Sequence, residues 1–159
     1  MKQYLGDKLF LFISTLCIIS LGAALISQHI FDMQPCAWCV VQRLLFFFIG
    51  IISFFAYFIK NTMISKIVAV IVGILSIMGI IAALLQNALH SENLSCVITP
   101  ADKIISNTGF DSAMPWLFNI YSSCADDPVI LLGIEYFIWS LSLFVVLTII
   151  SFSIALRKN

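Results

Sequence analysis

Four runs of apolar residues, parted by polar segments, set the plan of the chain: residues 9–27, 40–59, 67–89 and 129–156. Each approaches or exceeds the ~20 residues a helix needs to cross a hydrocarbon core ~30 Å thick. The second run is slightly short and is interrupted early by Gln42 and Arg43. The fourth is longer than a span requires, which predicts tilt or projection beyond the bilayer. No run alternates as a barrel strand would, and a backbone in lipid must satisfy its own hydrogen bonds, so the pattern predicts helices. The expected fold is therefore all-α, an integral membrane four-helix bundle forming a single domain over residues 1–159. The first run has no small-x-small cleavage site before the next polar segment and is expected to stay as an anchor.

Between the runs, residues 61–65 predict a tight turn that makes the second and third helices antiparallel neighbours. The segment 90–128 holds much of the polar content and three of the four prolines, Pro100, Pro115 and Pro128. Within it, residues 113–121 are apolar but too short to cross. With Trp116, Phe118 and Tyr121 they predict a short helix lying in the interface, where amphipathic rings settle; an ordinary loop collapsed on the bundle is the plainer alternative.

Composition agrees with a membrane protein: 62% of the 159 residues are hydrophobic, 10% are charged, and the mean hydropathy is +1.10. Such a chain lacks the charge to cover a water-soluble surface. Net charge is zero and no basic tract suggests nucleic acid or anionic lipid. With both termini cytoplasmic, Lys2, Lys8, Lys60, Lys66, Arg157 and Lys158 lie inside and only Arg43 and Lys103 outside, the asymmetry that orients membrane proteins. Segments 28–39 and 90–128 are then extracytoplasmic.

Four of the five cysteines, Cys36, Cys39, Cys96 and Cys124, fall in those two outer segments, placed there by a charge rule that knows nothing of sulfur. The outer side is where disulfides form and persist. Four cysteines allow three pairings, and the sequence does not choose among them. Cys36-Ala37-Trp38-Cys39 is a C-x-x-C motif, preceded by Pro35 and followed at once by the second apolar run. Proline suits the first turn of a helix, so the motif is expected at a helix N-terminus, where the partial positive charge favours a thiolate. At helical spacing Cys36, Cys39 and Arg43 share a face. A guanidinium at the lipid boundary can stabilise a thiolate or a polarised carbonyl oxygen; its plainer reading is a side chain snorkelling to the interface. A disulfide joining Cys96 and Cys124 would close a long loop and could be merely structural. Cys17, among Leu16, Ile18 and Ile19, reads as a packing residue.

Four spans, P-C-x-x-C at the mouth of the second with Gln42-Arg43 following, a cysteine pair between the third and fourth, and Cys124-Ala125-Asp126 leading through Leu132-Gly133-Ile134-Glu135 into the last make a specific combination. It resembles the DsbB family of bacterial disulfide-bond-formation proteins over nearly the whole chain. The resemblance implies a protein-disulfide:quinone oxidoreductase of the bacterial inner membrane. It would reoxidise a periplasmic thioredoxin-fold protein, DsbA or a relative, and pass the electrons to membrane quinone, ubiquinone or menaquinone. By that resemblance Cys36 and Cys39 are the quinone-facing pair, with Cys39 the nearer to the ring. Cys96 and Cys124 are the partner-facing pair, and Cys96 forms the mixed disulfide. Arg43 and, at the end of the third helix, His90 are the quinone-side residues. His29 is expected at the interface, and Glu135 is expected to make a bundle-facing hydrogen bond rather than to handle protons.

Rival readings remain. Cys36 and Cys39 could be half of a zinc site completed by Cys96, Cys124, His29 or His90, making the chain a metal-binding membrane protein; the wide spacing of the second pair argues against a second zinc knuckle. A scaffold with two inert bridges is disfavoured because a bridge closing so few residues adds little stability. A vitamin K epoxide reductase-like enzyme would carry its C-x-x-C near the last helices. Ion transport lacks a chain of acids through the spans.

Overall fold

The computed structural model describes residues 2–31, 36–59, 61–91, 100–109, 130–131 and 133–156. Among these the element order is α1 (Lys2–Ile30), α2 (Ala37–Phe58), α3 (Thr62–Ser91), α4 (Pro100–Thr108), β1 (Ile130–Leu131), β2 (Ile134–Glu135) and α5 (Tyr136–Ala155). Helices α1, α2, α3 and α5 are long and apolar enough to cross a membrane. At 1.5 Å per residue, the 20 residues of α5 extend about 30 Å, the thickness of the hydrocarbon core. The 30 residues of α3 extend about 45 Å and project beyond it. Helix α1 packs along α2, α2 against α3 and α3 against α5, and a smaller contact between α5 and α1 closes the ring. The chain is a helical membrane bundle.

One stripe of each helix builds the core. Phe10, Ile13 and Cys17 of α1 meet Leu45, Phe46, Ile49 and Ala56 of α2, Ala69 and Val72 of α3, and Phe144, Leu147 and Ile154 of α5. Their spacings of three, four and seven keep them on one helical face. The opposite faces stay apolar as well: Ile18, Ile19, Phe55, Phe58 and Ile149 are all at least 60% exposed. In water such faces would be a liability; in a bilayer they are the lipid surface. Since lipid is as apolar as the core, the helices gain from close approach rather than from leaving water, and small residues permit it. A Cβ on Gly50 would lie 3.1 Å from that of Cys17, which is fully buried and packs between α1 and α2.

The tightest such place is Gly79 of α3, where an added Cβ would overlap the Phe144 ring. That ring cannot swing aside, because it is fully buried and stacks on Phe46 with centroids 4.2 Å apart. Gly79→Ala is therefore expected to force α3 and α5 apart and cost about 1–3 kcal/mol, the usual range for overpacking. Thermal unfolding in detergent reads this out, with Gly22→Ala as a neutral control, since nothing lies within 4 Å of a Cβ there.

Three local features depart from the sequence reading. The fourth apolar run is not one helix from residue 129: β1 pairs antiparallel with β2, Ile130 opposite Glu135 and Leu131 opposite Ile134, around Gly133 at φ 82°. Only a residue without a Cβ adopts that backbone cheaply. The helix proper starts at Tyr136, so no excess length needs tilt or projection. The turn between α2 and α3 is shorter than residues 61–65, because Asn61 caps α3: its side-chain oxygen accepts the Met63 N–H at 3.0 Å. Finally, the long segment between the third and fourth spans contains the helix α4, ended by Gly109 at φ 68°. Residues 113–121, expected as an interfacial helix, lie outside the described residues.

Candidate functional site

Helix α2 opens at the C-x-x-C motif. Cys36 is its N-cap, with extended backbone (φ −80°, ψ 168°), and the Cys36 carbonyl accepts the Val40 N–H at 3.1 Å. Cys39 lies in the first turn, and one turn of helix brings the two sulfurs to 3.1 Å. A disulfide of about 2.05 Å needs little further movement. The two thiols are not equivalent: Cys36 is buried and Cys39 half-buried. Both lie where the unpaired N–H groups of the first turn create a positive potential.

Arg43, one turn below Cys39, is 6% exposed. Its Nη1 donates to Gln28 Oε1 at 2.5 Å and its Nη2 to the Ala24 carbonyl at 3.3 Å, both on α1. The guanidinium is thus turned into the bundle rather than snorkelling outward. Its electrostatic neighbours are Tyr136, Cys39 and Cys36. The acceptors Gln28 and Ala24 orient the fork. In so buried a place a cation acts strongly on a charge formed nearby.

Other groups complete the surroundings. Gln42 Nε2 donates to Gln86 Oε1 at 2.8 Å, tying α2 to α3 beside Arg43. Tyr136, the first residue of α5, is half-buried and within electrostatic range of Arg43 and Cys39. The Trp38 Nε1 donor is buried with no hydrogen-bond partner among the described residues. Helix α4 covers the motif: Ala101 and Ile105, four apart on its inner face, join Cys36, Ala37, Trp38, Val40 and Ala82 in one apolar cluster. Lys103 and Asn107 face outward. The chain enters α4 four residues after Cys96, and α4 is anchored on the C-x-x-C turn itself.

Of the residues expected at the site, Cys36, Cys39 and Arg43 come together. His90 falls in the last turn of α3, its side chain outside the described residues, and Cys96 and Cys124 lie outside them altogether. Glu135 is the N-cap residue of α5 and pairs through its backbone with Ile130, with no side-chain cap hydrogen bond. His29 is exposed near the end of α1, its Nδ1 3.0 Å from the Leu25 carbonyl. Gln28, Gln86, Ser27 and Tyr136 were not singled out in the sequence. The only hint was polarity near the ends of apolar runs.

A family model described as "Disulfide bond formation protein DsbB" matches residues 6–154. The chain belongs to the DsbB family. Relatives named Disulfide bond formation protein B include one from Cupriavidus metallidurans, 30% identical over 88% of this chain and 86% of its own length. Another, from Cupriavidus necator, is 32% identical over 88% and 86%, respectively. That of Nitrosospira multiformis is 28% identical over 96% and 93%. As a DsbB-family member the chain is a multi-pass membrane protein of disulfide bond formation, with a disulfide oxidoreductase role. Two adjacent sulfurs, one buried cation and a helix N-terminus are suited to that chemistry, because thiolate is the species that attacks a disulfide or delivers electrons.

Proposed function

We propose that this protein reoxidises a DsbA-like thioredoxin-fold protein outside the bacterial inner membrane and passes two electrons to membrane quinone. The observation that carries the reading is the buried Arg43 guanidinium, oriented by Gln28 and the Ala24 carbonyl beside two touching sulfurs at the mouth of a membrane-crossing helix. Membership of the DsbB family supports the DsbA-type partner, and the distribution of Lys and Arg supports outer cysteines with both termini in the cytoplasm.

Two substrates in different solvents call for two pairs of thiols. A thiolate of the reduced partner attacks Cys96 and displaces Cys124 as a thiolate; the partner's second thiolate then attacks the mixed disulfide. The partner leaves oxidised, and Cys96 and Cys124 are left as the reduced pair. Those thiols reduce the Cys36–Cys39 disulfide by the same exchange. Quinone, when bound, supplies a lipid-dissolved acceptor of two electrons and two protons. The residues present fit such a group: Arg43 offers a buried positive charge for its oxygen, the Trp38 N–H is a buried donor in need of an acceptor, and half-buried Cys39 is the more accessible thiol. Arg43 and His90 would hold it. Arg43 also keeps Cys39 in its thiolate form. A DsbA-type partner is itself a strong oxidant, near about −120 mV, so only a high-potential final acceptor draws the sequence forward.

The test is anaerobic mixing of the purified protein with reduced DsbA and quinone, following quinone absorbance. One quinone consumed per DsbA oxidised is expected. DsbA oxidation without quinone loss would reject the reading. The same preparation addresses metal binding by the outer cysteines: thiols that titrate alike with and without a chelator are expected, and thiols that appear only on chelation would favour the metal.

A further inference from the structure

We propose that Gln86 is a second donor to the quinone, set across Cys39 from Arg43, and that the two together fix which way the ring lies. The proposal rests on the reading of quinone as the acceptor beside Cys39.

Cys39 has two neighbours one turn further along α2, Gln42 and Arg43, three and four residues on. At that spacing side chains lie beside each other on a helix surface, with Cβ atoms about 5–6 Å apart. The two turn to different partners. Arg43 reaches to α1, where Gln28 Oε1 and the Ala24 carbonyl accept its N–H groups. Gln42 is 3% exposed and reaches to α3, where its Nε2 donates to Gln86 Oε1 at 2.8 Å. A group resting on Cys39 therefore has a guanidinium towards α1 and a pair of amides towards α3. The direction of the amide bond decides what that pair can offer. It engages the Gln86 oxygen, so the Gln86 Nε2 keeps two N–H donors, and no acceptor meets them among the described residues. Both glutamines lie within membrane-spanning segments, where a donor without an acceptor is costly. A single bond between amides is enough to join α2 to α3; the remaining donors call for an oxygen. A quinone has two carbonyl oxygens, at opposite edges of its ring. Arg43 takes one and Gln86 the other, so the ring runs from α1 to α3 over the sulfur. The two ends are unequal, because a hydrogen bond from a cation is about twice as strong as one from a neutral amide. Negative charge is thereby favoured on the oxygen at Arg43, while Gln86 orients the ring.

The experiment titrates the full-length oxidised protein in lipid nanodiscs with a short-chain ubiquinone isotopically labelled at one carbonyl or the other. Bound quinone is followed by infrared difference spectroscopy, which reads binding without turnover. In the unmodified protein both carbonyl bands are expected to lie below their position in lipid alone. Gln86→Met keeps a flexible side chain of similar length and removes the amide. It is expected to weaken binding about 3–10-fold, the loss of one hydrogen bond, and to return one carbonyl band, and only one, towards its position in lipid. Gln42→Met breaks the same bond between α2 and α3 but leaves the Gln86 donors in place. It is expected to weaken binding less and to leave both bands shifted. Unchanged affinity and bands in Gln86→Met would overturn the proposal. Equal effects in the two variants would overturn it too, because that marks an amide pair that only joins the helices. Absence of quinone binding by the unmodified protein is a separate result: it would reject the proposed function itself, and this inference with it.

Discussion

Replacing Cys39 with serine is expected to bring quinone reduction to background, while Cys96→Ser leaves it intact when electrons enter chemically and abolishes turnover of DsbA. The asymmetry follows from two pairs working in series. Cys36 and Cys39 approach to 3.1 Å at the head of a membrane-crossing helix, so they can meet a lipid-dissolved acceptor whether or not the outer pair is present. The outer pair is needed only to receive electrons from a protein in water, by thiolate attack through a mixed disulfide. The assay is split accordingly. In the first half, the reduced variant is mixed with quinone and absorbance is followed. In the second, reduced DsbA is added and its oxidation is followed. Cys36→Ser should behave as Cys39→Ser, because neither thiol alone can form the internal bond. Equal loss of both half-reactions in every variant would contradict the division of labour.

Arg43→Ala is expected to raise the apparent KM for quinone by about 10–100-fold and to leave that for DsbA within a factor of about three. The first figure is the loss of one or two charge-assisted contacts, about 1.5–3 kcal/mol, at about 1.4 kcal/mol per tenfold. The side chain is buried and fixed by Gln28 and the Ala24 carbonyl rather than wandering at the surface, so the bundle sets where its charge lies. Arg43→Lys should recover only part of the loss, since a single ammonium cannot reproduce a fork held from two directions. Steady-state kinetics with each substrate varied in turn separate the two effects, and a larger rise in the DsbA KM would reject the role given to Arg43.

Much of this site could be read along a single helix. Cys36, Cys39 and Arg43 are three and four residues apart, so their common face follows from helical geometry, and the apolar run after Cys39 marks the helix. Contacts between helices were another matter. Gln28 precedes Arg43 by fifteen residues and Gln86 follows Gln42 by forty-four; nothing in hydropathy says which faces meet. Tyr136 was hidden inside an apolar run. That run also concealed the β pair, because Ile130, Leu131 and Ile134 are as apolar in a strand as in a helix and only Gly133 hinted at a turn. Helix α4 escaped for the opposite reason. Its nine residues are largely polar, and its docking rests on Ala101 and Ile105, too few to make a periodic signal.

The whole account depends on which side of the membrane the sulfurs face. In cells expressing the protein with Cys17 replaced by Ser, a membrane-impermeant maleimide added after mild reduction is expected to label Cys96 and Cys124 before any lysis, with Cys39 following more slowly from its half-buried position. Labelling of those thiols only after the inner membrane is opened would leave neither a DsbA-like protein nor the outer oxidising space within reach, and would contradict the electron route from end to end.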